Sequence, residues 1–333
     1  MLIDATIDAH LATVGTAAAA AEDTAYDGVW VAEINHDPFL AALHAADRTS
    51  RATVGTGIAV AFARSPMTVA MAADDLQRHS GGRFVLGLGS QIRPHIERRF
   101  SMPWSHPADR MREFIQALRA IWRCWAGGEP LQFAGRFYTH TLMTPFFSPG
   151  PNPYGPPPVY LAAVGPRMTR VAAQEADGLF VHAFTTPRYL REVTIPAVLE
   201  GLAEAGRRRD EFTVCLPAFV VTGDDESETG AARQRTRAQI AFYGSTPAYR
   251  PVLALHGWED LHTELNARSK QGEWEQMAAA IDDEVLHTFA VVGTPSQVAA
   301  ALRERFAGLV DRLSFATHDG AAVPDGLVDA LRD

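Results

Sequence analysis

The chain has 333 residues, with 30 Lys and Arg against 39 Asp and Glu and a formal net charge of -9. Because nucleic-acid-binding surfaces carry clustered excess Lys and Arg, this balance argues against such a partner. No apolar run reaches the length of a membrane span, and nothing near the start resembles a signal peptide, since the first Lys or Arg is Arg48. We therefore expect a cytoplasmic protein with no nucleic-acid or membrane partner.

The cysteines give no sign of a disulfide framework or a metal site. Cys124 and Cys215 stand alone, one in a helical pattern and the other in a strand pattern. A disulfide scaffold or a zinc site needs clustered or closely spaced cysteines. We therefore predict neither a disulfide nor a bound metal.

Apolar runs bounded by turn residues predict eight strands that alternate with helices. The run at 159–163, for example, does not alternate with polar residues, which is typical of a buried strand in a parallel sheet. The predicted strands span residues 2–7, 28–32, 53–62, 83–89, 159–163, 179–181, 212–222 and 312–316. With right-handed crossovers, this alternation predicts an α/β fold, the (β/α)8 TIM barrel, with a doubly wound open sheet as the main competitor.

Several predicted helices begin at capping residues. Asp37, Ser65 and Thr186 each precede a proline, which suits the first position of a helix because the missing amide would be unpaired there. Thr294 and Gln297 form a capping box at the start of a later helix. These signals place helices directly after the predicted strands, as a barrel requires.

Three segments exceed what a simple barrel needs, at about 91–106, 127–157 and 231–290, and we predict them as excursions from one domain spanning 1–333. The second is rich in Gly, Pro and aromatic residues, and the third is helical with breaks. Exposing large apolar side chains to water is unfavourable, so we expect the aromatic residues of the second excursion to lie against the rim of the barrel. They are Phe133, Phe137, Tyr138, Phe146 and Phe147.

Residues 156–184 predict one strand, loop, helix and strand, with a candidate anion site in the loop. The small residues at Ala163, Val164 and Gly165 let a ligand approach the backbone. The helix that follows offers free amides and the positive end of its dipole, which attract a phosphate. A plain short loop of an α/β protein is the alternative, because a single glycine is a weak signal.

In a barrel, the active site lies where the strands end. That rule collects Glu33, Asn35, His36, Gly57, Ile58, Ala61, Arg64, Gly89, Ser90, Gln91, Val164, Gly165, His182 and His318. Most of these residues are small or neutral, which suits the binding of a large cofactor better than acid–base chemistry alone. Histidine titrates near neutrality, so His36 and His182 are the candidates for catalytic proton transfer, with a surface or capping role as the alternative for each.

Other well-known motifs are absent from the sequence. The GLG at 87–89 lacks the third glycine of the dinucleotide fingerprint, because Ile92 stands in its place. No Walker A loop, HExxH zinc motif or GxSxG elbow occurs. The sequence therefore gives no support to an NAD-binding Rossmann fold, a P-loop nucleotide hydrolase or a serine hydrolase.

Six segments carry a resemblance to a known family. They are YDGVWVAE with HDPF at 26–39, GTGIAVAFARSP at 55–66, GGRFVLGLGS at 81–90, DRMREFIQALRAIW at 109–122, the unit at 156–184 and VGTPSQ at 292–297. Through them the chain resembles the bacterial luciferase-like superfamily, and within it the oxidoreductases that use the deazaflavin coenzyme F420. The resemblance extends over most of the chain.

The resemblance implies a flavin-type ring in the mouth of the barrel, with its phosphate at the loop of Val164 and Gly165. It also implies a non-proline cis peptide bond between Gly57 and Ile58, and a homodimer. The residues that it implies for cofactor binding are Glu33, Gly57, Ile58, Gly89, Ser90, Gln91, Ala163, Val164, Gly165 and Met168.

The function implied is an F420-dependent oxidoreductase that transfers a hydride between the deazaflavin and a small organic substrate. Two alternatives stay open: an FMN-dependent luciferase-like monooxygenase, and a flavin-binding barrel without catalysis. Relatives that oxidise sugar phosphates carry an Asp and a His after the second strand and a Glu after the fourth. Glu33 and His36 match the first pair only loosely, and Gln91 and Ile92 stand in place of the acid, so that activity is not expected here.

Overall fold

The computed structural model describes residues 1–223, 225–316 and 325–332. Its strands are β1 (Leu2–Ile7), β2 (Gly28–Val31), β3 (Thr53–Thr56), β4 (Ala59–Val60), β5 (Phe84–Gly89), β6 (Phe133–Ala134), β7 (Thr139–His140), β8 (Val159–Ala163), β9 (Gly178–Val181), β10 (Thr213–Val221), β11 (Ala290–Val292) and β12 (Arg312–Ala316).

The α-helices follow the strands. They are α1 (Val14–Asp23), α2 (Pro38–Asp47), α3 (Pro66–His79), α4 (Arg93–Arg98), α5 (Pro107–Trp125), α6 (Pro166–Glu175), α7 (Pro187–Tyr189), α8 (Ile195–Glu204), α9 (Glu226–Gly244), α10 (Arg250–Ala254), α11 (Glu259–Gln271), α12 (Trp274–Ala279), α13 (Asp283–Phe289), α14 (Pro295–Phe306) and α15 (Asp325–Arg332). Within the described ranges, none of them combines the length and the apolar character that a membrane span requires.

Parallel pairing closes eight of these strands into a barrel. The order is β1, β2, β3, β5, β8, β9, β10, β12 and back to β1, where Ile3 pairs with Leu313. The short β11 adds a further parallel strand at the end of β10, with Phe219 opposite Ala290. The (β/α)8 barrel is therefore confirmed, and the open sheet is wrong.

The third predicted strand, 53–62, is interrupted. It forms β3, then a cis peptide bond between Gly57 and Ile58, then β4 and a 3-10 turn at Ala61–Ala63. The cis bond lies at the predicted position. β4 pairs with the end of β5, where Val60 is opposite Gly89, so the chain after the cis bond stays in the barrel wall.

Local capping starts the helices where the sequence predicts them. The Asp37 carboxylate accepts the amides of Phe39 and Leu40 at 2.9 and 3.2 Å. At α14, the amide of Thr294 donates to Gln297 Oε1 at 3.0 Å, and the Gln297 amide donates back to Thr294 Oγ1 at 3.4 Å. Both features satisfy amides that the first turn of a helix leaves unpaired.

A buried ion pair fills the amino-terminal half of the barrel interior. Arg312 donates to both carboxylate oxygens of Asp4, at 2.6 and 2.8 Å, and the indole of Trp30 donates to Asp4 at 3.0 Å. Tyr160 and Cys215 belong to the same interior layer. Asp4, Arg312, Tyr160 and Cys215 come from the first halves of their strands, and Trp30 is one residue from the end of the short β2. The ion pair therefore lies below the carboxyl end of the barrel, which is free for a site.

The aromatic residues of the second excursion do not all lie against the barrel. Tyr138 does, because its hydroxyl accepts a hydrogen bond from Arg110 at 2.8 Å and its ring packs on Phe114. Phe146 and Phe147 are 88% and 69% exposed, so the prediction is wrong for these two. The β6–β7 hairpin is tied to α5 through the carboxylate of Glu113, whereas the turn at 145–147 lies beyond that anchor.

Candidate active site

Glu33 is bonded to the backbone around the cis bond rather than pointing freely into the mouth. Its amide donates to the carbonyl of Ile58 at 3.1 Å, and its carboxylate accepts the amide of Val60 at 2.7 Å. The same carboxylate oxygen accepts Arg64 Nη1 at 2.6 Å, and the side chain is only 6% exposed. Glu33 therefore braces the segment after β3, and its predicted cofactor contact stays a prediction.

Arg64 connects the motif at 26–39 with the motif at 55–66. Besides Glu33, it donates to Asp37 at 2.8 Å and lies over the ring of Phe39, 5.3 Å from its centroid. Burial alone lowers the pKa of Arg64, but the two carboxylates outweigh it and raise the pKa. The guanidinium is therefore a permanent cation that holds the β2 and β4 ends together.

The glycines of β5 allow the barrel wall to come close to the cis segment. A Cβ at Gly87 would lie 1.8 Å from the carbonyl oxygen of Thr56, and one at Gly89 would lie 2.8 Å from Ile58 Cδ1. Thr56 also exchanges two hydrogen bonds with Gly87, at 2.7 and 2.9 Å. Packing within the chain thus accounts for Gly87 and Gly89, whatever ligand lies above them.

Ser90 and Gln91 form the turn that leaves β5. The Ser90 hydroxyl donates to the Gln91 carbonyl at 3.1 Å, and the Gln91 side chain accepts the amide of Ile92 at 2.9 Å. Farther along, Arg99 donates to the carbonyl of Ile34, which joins this excursion to the loop after β2. The 91–106 excursion therefore lies over the mouth at the side of β2 and β5.

The loop at Gly165 is open and lacks a protein cap. Gly165 is the N-cap residue of α6, and no side chain caps the helix. A Cβ at Gly165 would meet no atom of the described residues within 4 Å, and the φ of -102° is accessible to any residue. The amides of Arg167 and Met168 lie in the first turn, where a helix offers no internal acceptors. Neither the space around this position nor its backbone conformation requires glycine. A ligand that approaches the backbone closely would require it.

His182 lies one residue beyond β9 and is held in one orientation. Its Nδ1 accepts the amide of Phe184 at 3.0 Å, its ring stacks on Tyr249 at 4.6 Å, and the edge of Tyr243 lies at 4.5 Å. Burial lowers the pKa of His182 to about 4. The ring is therefore neutral at pH 7 and is suited to donate a hydrogen bond from Nε2 rather than to deliver a proton.

The two predicted histidines lie on opposite sides of the mouth. His36 follows β2 and its ring meets His10, with centroids 5.2 Å apart. β9 is four strands away from β2 in a ring of eight, so His182 faces His36 across the barrel. The remaining candidate, His318, lies outside the described residues.

Sequence reasoning missed Tyr243, Tyr249 and His10. The two tyrosines come from the helical insertion, about sixty residues after the histidine that they touch, and no spacing rule connects them. The local signal was the aromatic pair in AFYG and PAYR near a helix end. His10 stands in the loop after β1, which the strand-end rule should have included.

Comparisons with known proteins agree with this architecture. The chain matches the family model of the luciferase-like monooxygenases over residues 3–312. An uncharacterised protein of Mycobacterium tuberculosis (strain ATCC 25618 / H37Rv) is 57% identical over 311 residues, covering 93% of this chain and 92% of that protein. The 5,10-methylenetetrahydromethanopterin reductase of Archaeoglobus fulgidus is 29% identical over 293 residues, covering 85% and 83% respectively.

Among solved structures, the coenzyme F420-dependent tetrahydromethanopterin reductase of Methanopyrus kandleri superposes with a TM-score of 0.80 at 19% identity. The match covers 99% of this chain and 96% of that one. The family model spans most of the chain, and the superposition shows that the fold is shared with a solved structure. The chain therefore belongs to the luciferase-like monooxygenase family.

Proposed function

We propose that the chain is an F420-dependent oxidoreductase that exchanges a hydride with a small organic substrate. The observation that carries the proposal is the uncapped start of α6 at Gly165, where none of the described residues fills the space beside the backbone. Free amides at a helix N-terminus bind a phosphate group well. Relatives that are F420-dependent by name support the choice of cofactor.

The residues present fit a phosphorylated deazaflavin. The amides of Arg167 and Met168, with the backbone of Ala163, Val164 and Gly165, would hold the phosphate. Ile58 and the loop of Gly89, Ser90 and Gln91 would lie along the ring. When bound, the deazaflavin supplies or accepts a hydride, and the chain supplies orientation and exclusion of water.

The side chains at the mouth of the barrel have different proposed roles in binding the substrate, moving a proton and supporting the cofactor ring. His182 presents Nε2–H toward the substrate as a hydrogen-bond donor, because its Nδ1 is already occupied by the amide of Phe184. His36, beside His10 on the far side, is the candidate for moving a proton, since imidazole exchanges protons near neutrality. Glu33 and Arg64 keep the segment under the ring in place.

An FMN-dependent monooxygenase is the second candidate, favoured by the description of the family itself. The same amides would bind the phosphate of FMN, so the geometry of this phosphate site, which we call the cofactor seat, does not distinguish F420 from FMN. A direct comparison of binding does. An FMN enzyme binds oxidised or reduced FMN tightly and consumes oxygen with reduced flavin, whereas an F420 enzyme quenches or shifts the fluorescence of F420.

The experiment is a fluorescence titration of the purified protein with F420 and, separately, with FMN. The Gly165→Leu variant places a side chain at the proposed phosphate site, and its Cβ would meet no atom of the described residues within 4 Å. Gly128→Leu, beyond the end of α5 on the other face of the barrel, is the matched control. We expect F420 to bind the wild type and Gly128→Leu, with binding to Gly165→Leu weakened at least about tenfold. Binding of neither cofactor refutes the proposal and leaves a barrel of another kind.

A further inference from the structure

The helical insertion forms a second packed core above the ends of β9, β10 and β11. Phe184 and Phe219 from the barrel side pack with Ile240, Val252 and Leu265 from the insertion. The Phe184 ring also stacks on Phe289, with centroids 4.4 Å apart. Because this core is contiguous with the strand ends, the insertion is a fixed cap at one side of the mouth and carries its aromatic side chains to defined positions.

Three side chains with unused hydrogen-bonding groups meet beneath this cap. His182, Tyr243 and Tyr249 contact one another, with ring centroids 4.5 to 5.8 Å apart. Among the described residues, no protein group bonds to His182 Nε2 or to either tyrosine hydroxyl, and none of the three atoms is sealed from solvent. We name this group the His182 recess.

The loop that carries His182 contains a further unsatisfied polar group. The hydroxyl of Thr185 is buried without a hydrogen-bond partner, and the residue is 7% exposed. Buried polar groups in native proteins are nearly always paired, so an unpaired hydroxyl is an unusual feature of this loop. β9 is also the neighbour of β8, whose end carries the open loop at Gly165, so the recess adjoins the cofactor seat.

His182 and Tyr249, which stack on each other in the His182 recess, are uncharged at neutral pH. Burial lowers the pKa of His182 to about 4, and burial followed by the proximity of Tyr243 raises the pKa of Tyr249. An anionic ligand would lose its hydration there without gaining a counter-charge, which is costly. A neutral carbonyl oxygen, in contrast, accepts hydrogen bonds from N–H and O–H donors, and its apolar body packs on the tyrosine rings.

We propose that the His182 recess is the substrate subsite, and that it binds an uncharged, apolar carbonyl compound through a hydrogen bond from His182 Nε2 to the carbonyl oxygen. This inference rests on the proposed function, which provides the hydride. In the reduction, the hydride bonds to the carbonyl carbon, the C=O π electrons move to the oxygen, and the oxygen takes one proton, which comes from water by way of His36 as proposed above, to give an alcohol. The reduced deazaflavin is the only reductant needed, and it loses two electrons with the hydride.

Three variants separate the hydrogen bond from packing. His182→Phe keeps a ring against Tyr249 but removes the donor, and His182→Gln restores a side-chain donor. Tyr249→Phe keeps the stacking and removes one hydroxyl. The probes are cyclohexanone as the neutral ketone and 4-oxocyclohexanecarboxylate as its charged counterpart.

The first readout is steady-state turnover with reduced F420, together with F420 binding by fluorescence. For the wild type we expect kcat/KM to be at least about tenfold higher for the neutral ketone. His182→Phe should lower that value by about tenfold while F420 binding stays unchanged, and His182→Gln should recover part of it. Preference for the carboxylate, or full activity of His182→Phe, overturns the inference.

The second readout needs no hydride transfer. Difference infrared spectroscopy of the bound ketone reports the carbonyl stretch, which moves to lower frequency when the oxygen accepts a hydrogen bond. We expect this shift with wild-type protein and with His182→Gln, and its loss with His182→Phe. An unshifted carbonyl in the wild type overturns the inference even if F420 binds. Failure to bind F420 refutes the proposed function separately.

Discussion

Glu33 and Arg64 form an ion pair in which Arg64 Nη1 lies 2.6 Å from Glu33 Oε2, and the same oxygen accepts the amide of Val60. Two motifs that are far apart in the sequence are thus one structural unit. The unit fixes the position of the chain just after the cis bond. The proposed binding of the cofactor ring along Ile58 depends on that position. Its contribution is structural, and the effect of a mutation on stability can be predicted.

Arg64→Met removes the partner of Glu33 and leaves a carboxylate that is only 6% exposed. Breaking a buried pair on one side typically costs about 3 kcal/mol of unfolding free energy. The control is Arg93→Met, since Arg93 pairs with Glu97 on the surface and its side chain is 68% exposed, where such pairs contribute about 0–1 kcal/mol. Urea unfolding measures both. Equal losses in the two variants contradict the bracing role.

Gly87→Ala should be far more harmful than Gly165→Ala. At Gly87 the new methyl group would lie 1.8 Å from the backbone oxygen of Thr56, so two strands of the barrel must separate. At Gly165 the methyl group meets no atom within 4 Å. We expect Gly165→Ala to change the unfolding free energy by less than about 0.5 kcal/mol, and Gly87→Ala to lower it severely or to prevent folding. Comparable stability of the two proteins would disprove the close contact.

His182 should make the protein less stable as the pH falls. Its pKa of about 4 in the folded state lies below the ordinary value near 6.5, so the unfolded state binds the proton more readily. The contribution to stability is fully present above pH 6.5 and is lost as the pH falls toward 4. The rings that contact His182 are those of Tyr243 and Tyr249, and burial is the cause of its lowered pKa.

The measurement is the difference in unfolding free energy between pH 7 and pH 5 for the wild type and His182→Phe. We expect the wild type to lose about 1–2 kcal/mol more than the variant over this interval. Other titrating groups are common to both proteins and cancel in the comparison. An equal loss would indicate that the imidazole titrates alike in the folded and unfolded chains.

Phe146 and Phe147 should be replaceable without loss of stability. Both rings are mostly exposed and contact each other, with centroids 5.1 Å apart. Phe146→Ser should change the unfolding free energy by less than about 0.5 kcal/mol, as surface substitutions usually do. Phe114→Ser, at a fully buried position, is the comparison and should be strongly destabilising. A large effect at Phe146 would mean that another surface covers the ring.

The strands and helices could be predicted because their signals are local. Apolar runs, prolines after capping residues and the Thr294 capping box marked all eight barrel strands and many of the helix starts. β11 was missed because three residues between a helix and a turn give too short a pattern. The exposure of Phe146 and Phe147 was missed because hydrophobicity alone does not reveal that Glu113 anchors only the first part of that excursion.

The candidate site was predictable only in part. The strand-end rule placed His182 and Gly165 just after strands, and the resemblance placed the cis bond, as the structure has them; the contacts of these residues with a cofactor or substrate stay predictions. They did not reveal that Glu33 is engaged by Arg64, because an ion pair across 31 residues has no sequence signature. Nor did they pair His182 with Tyr243 and Tyr249, which depends on how the insertion folds back over the barrel.

The most direct test of the central claim is a crystal structure of the protein grown with F420. The account predicts the phosphate on the amides of Arg167 and Met168 beside Gly165, and the deazaflavin ring along Ile58 in the mouth of the barrel. Electron density for the cofactor elsewhere on the surface, or for none at a saturating concentration, would contradict the account.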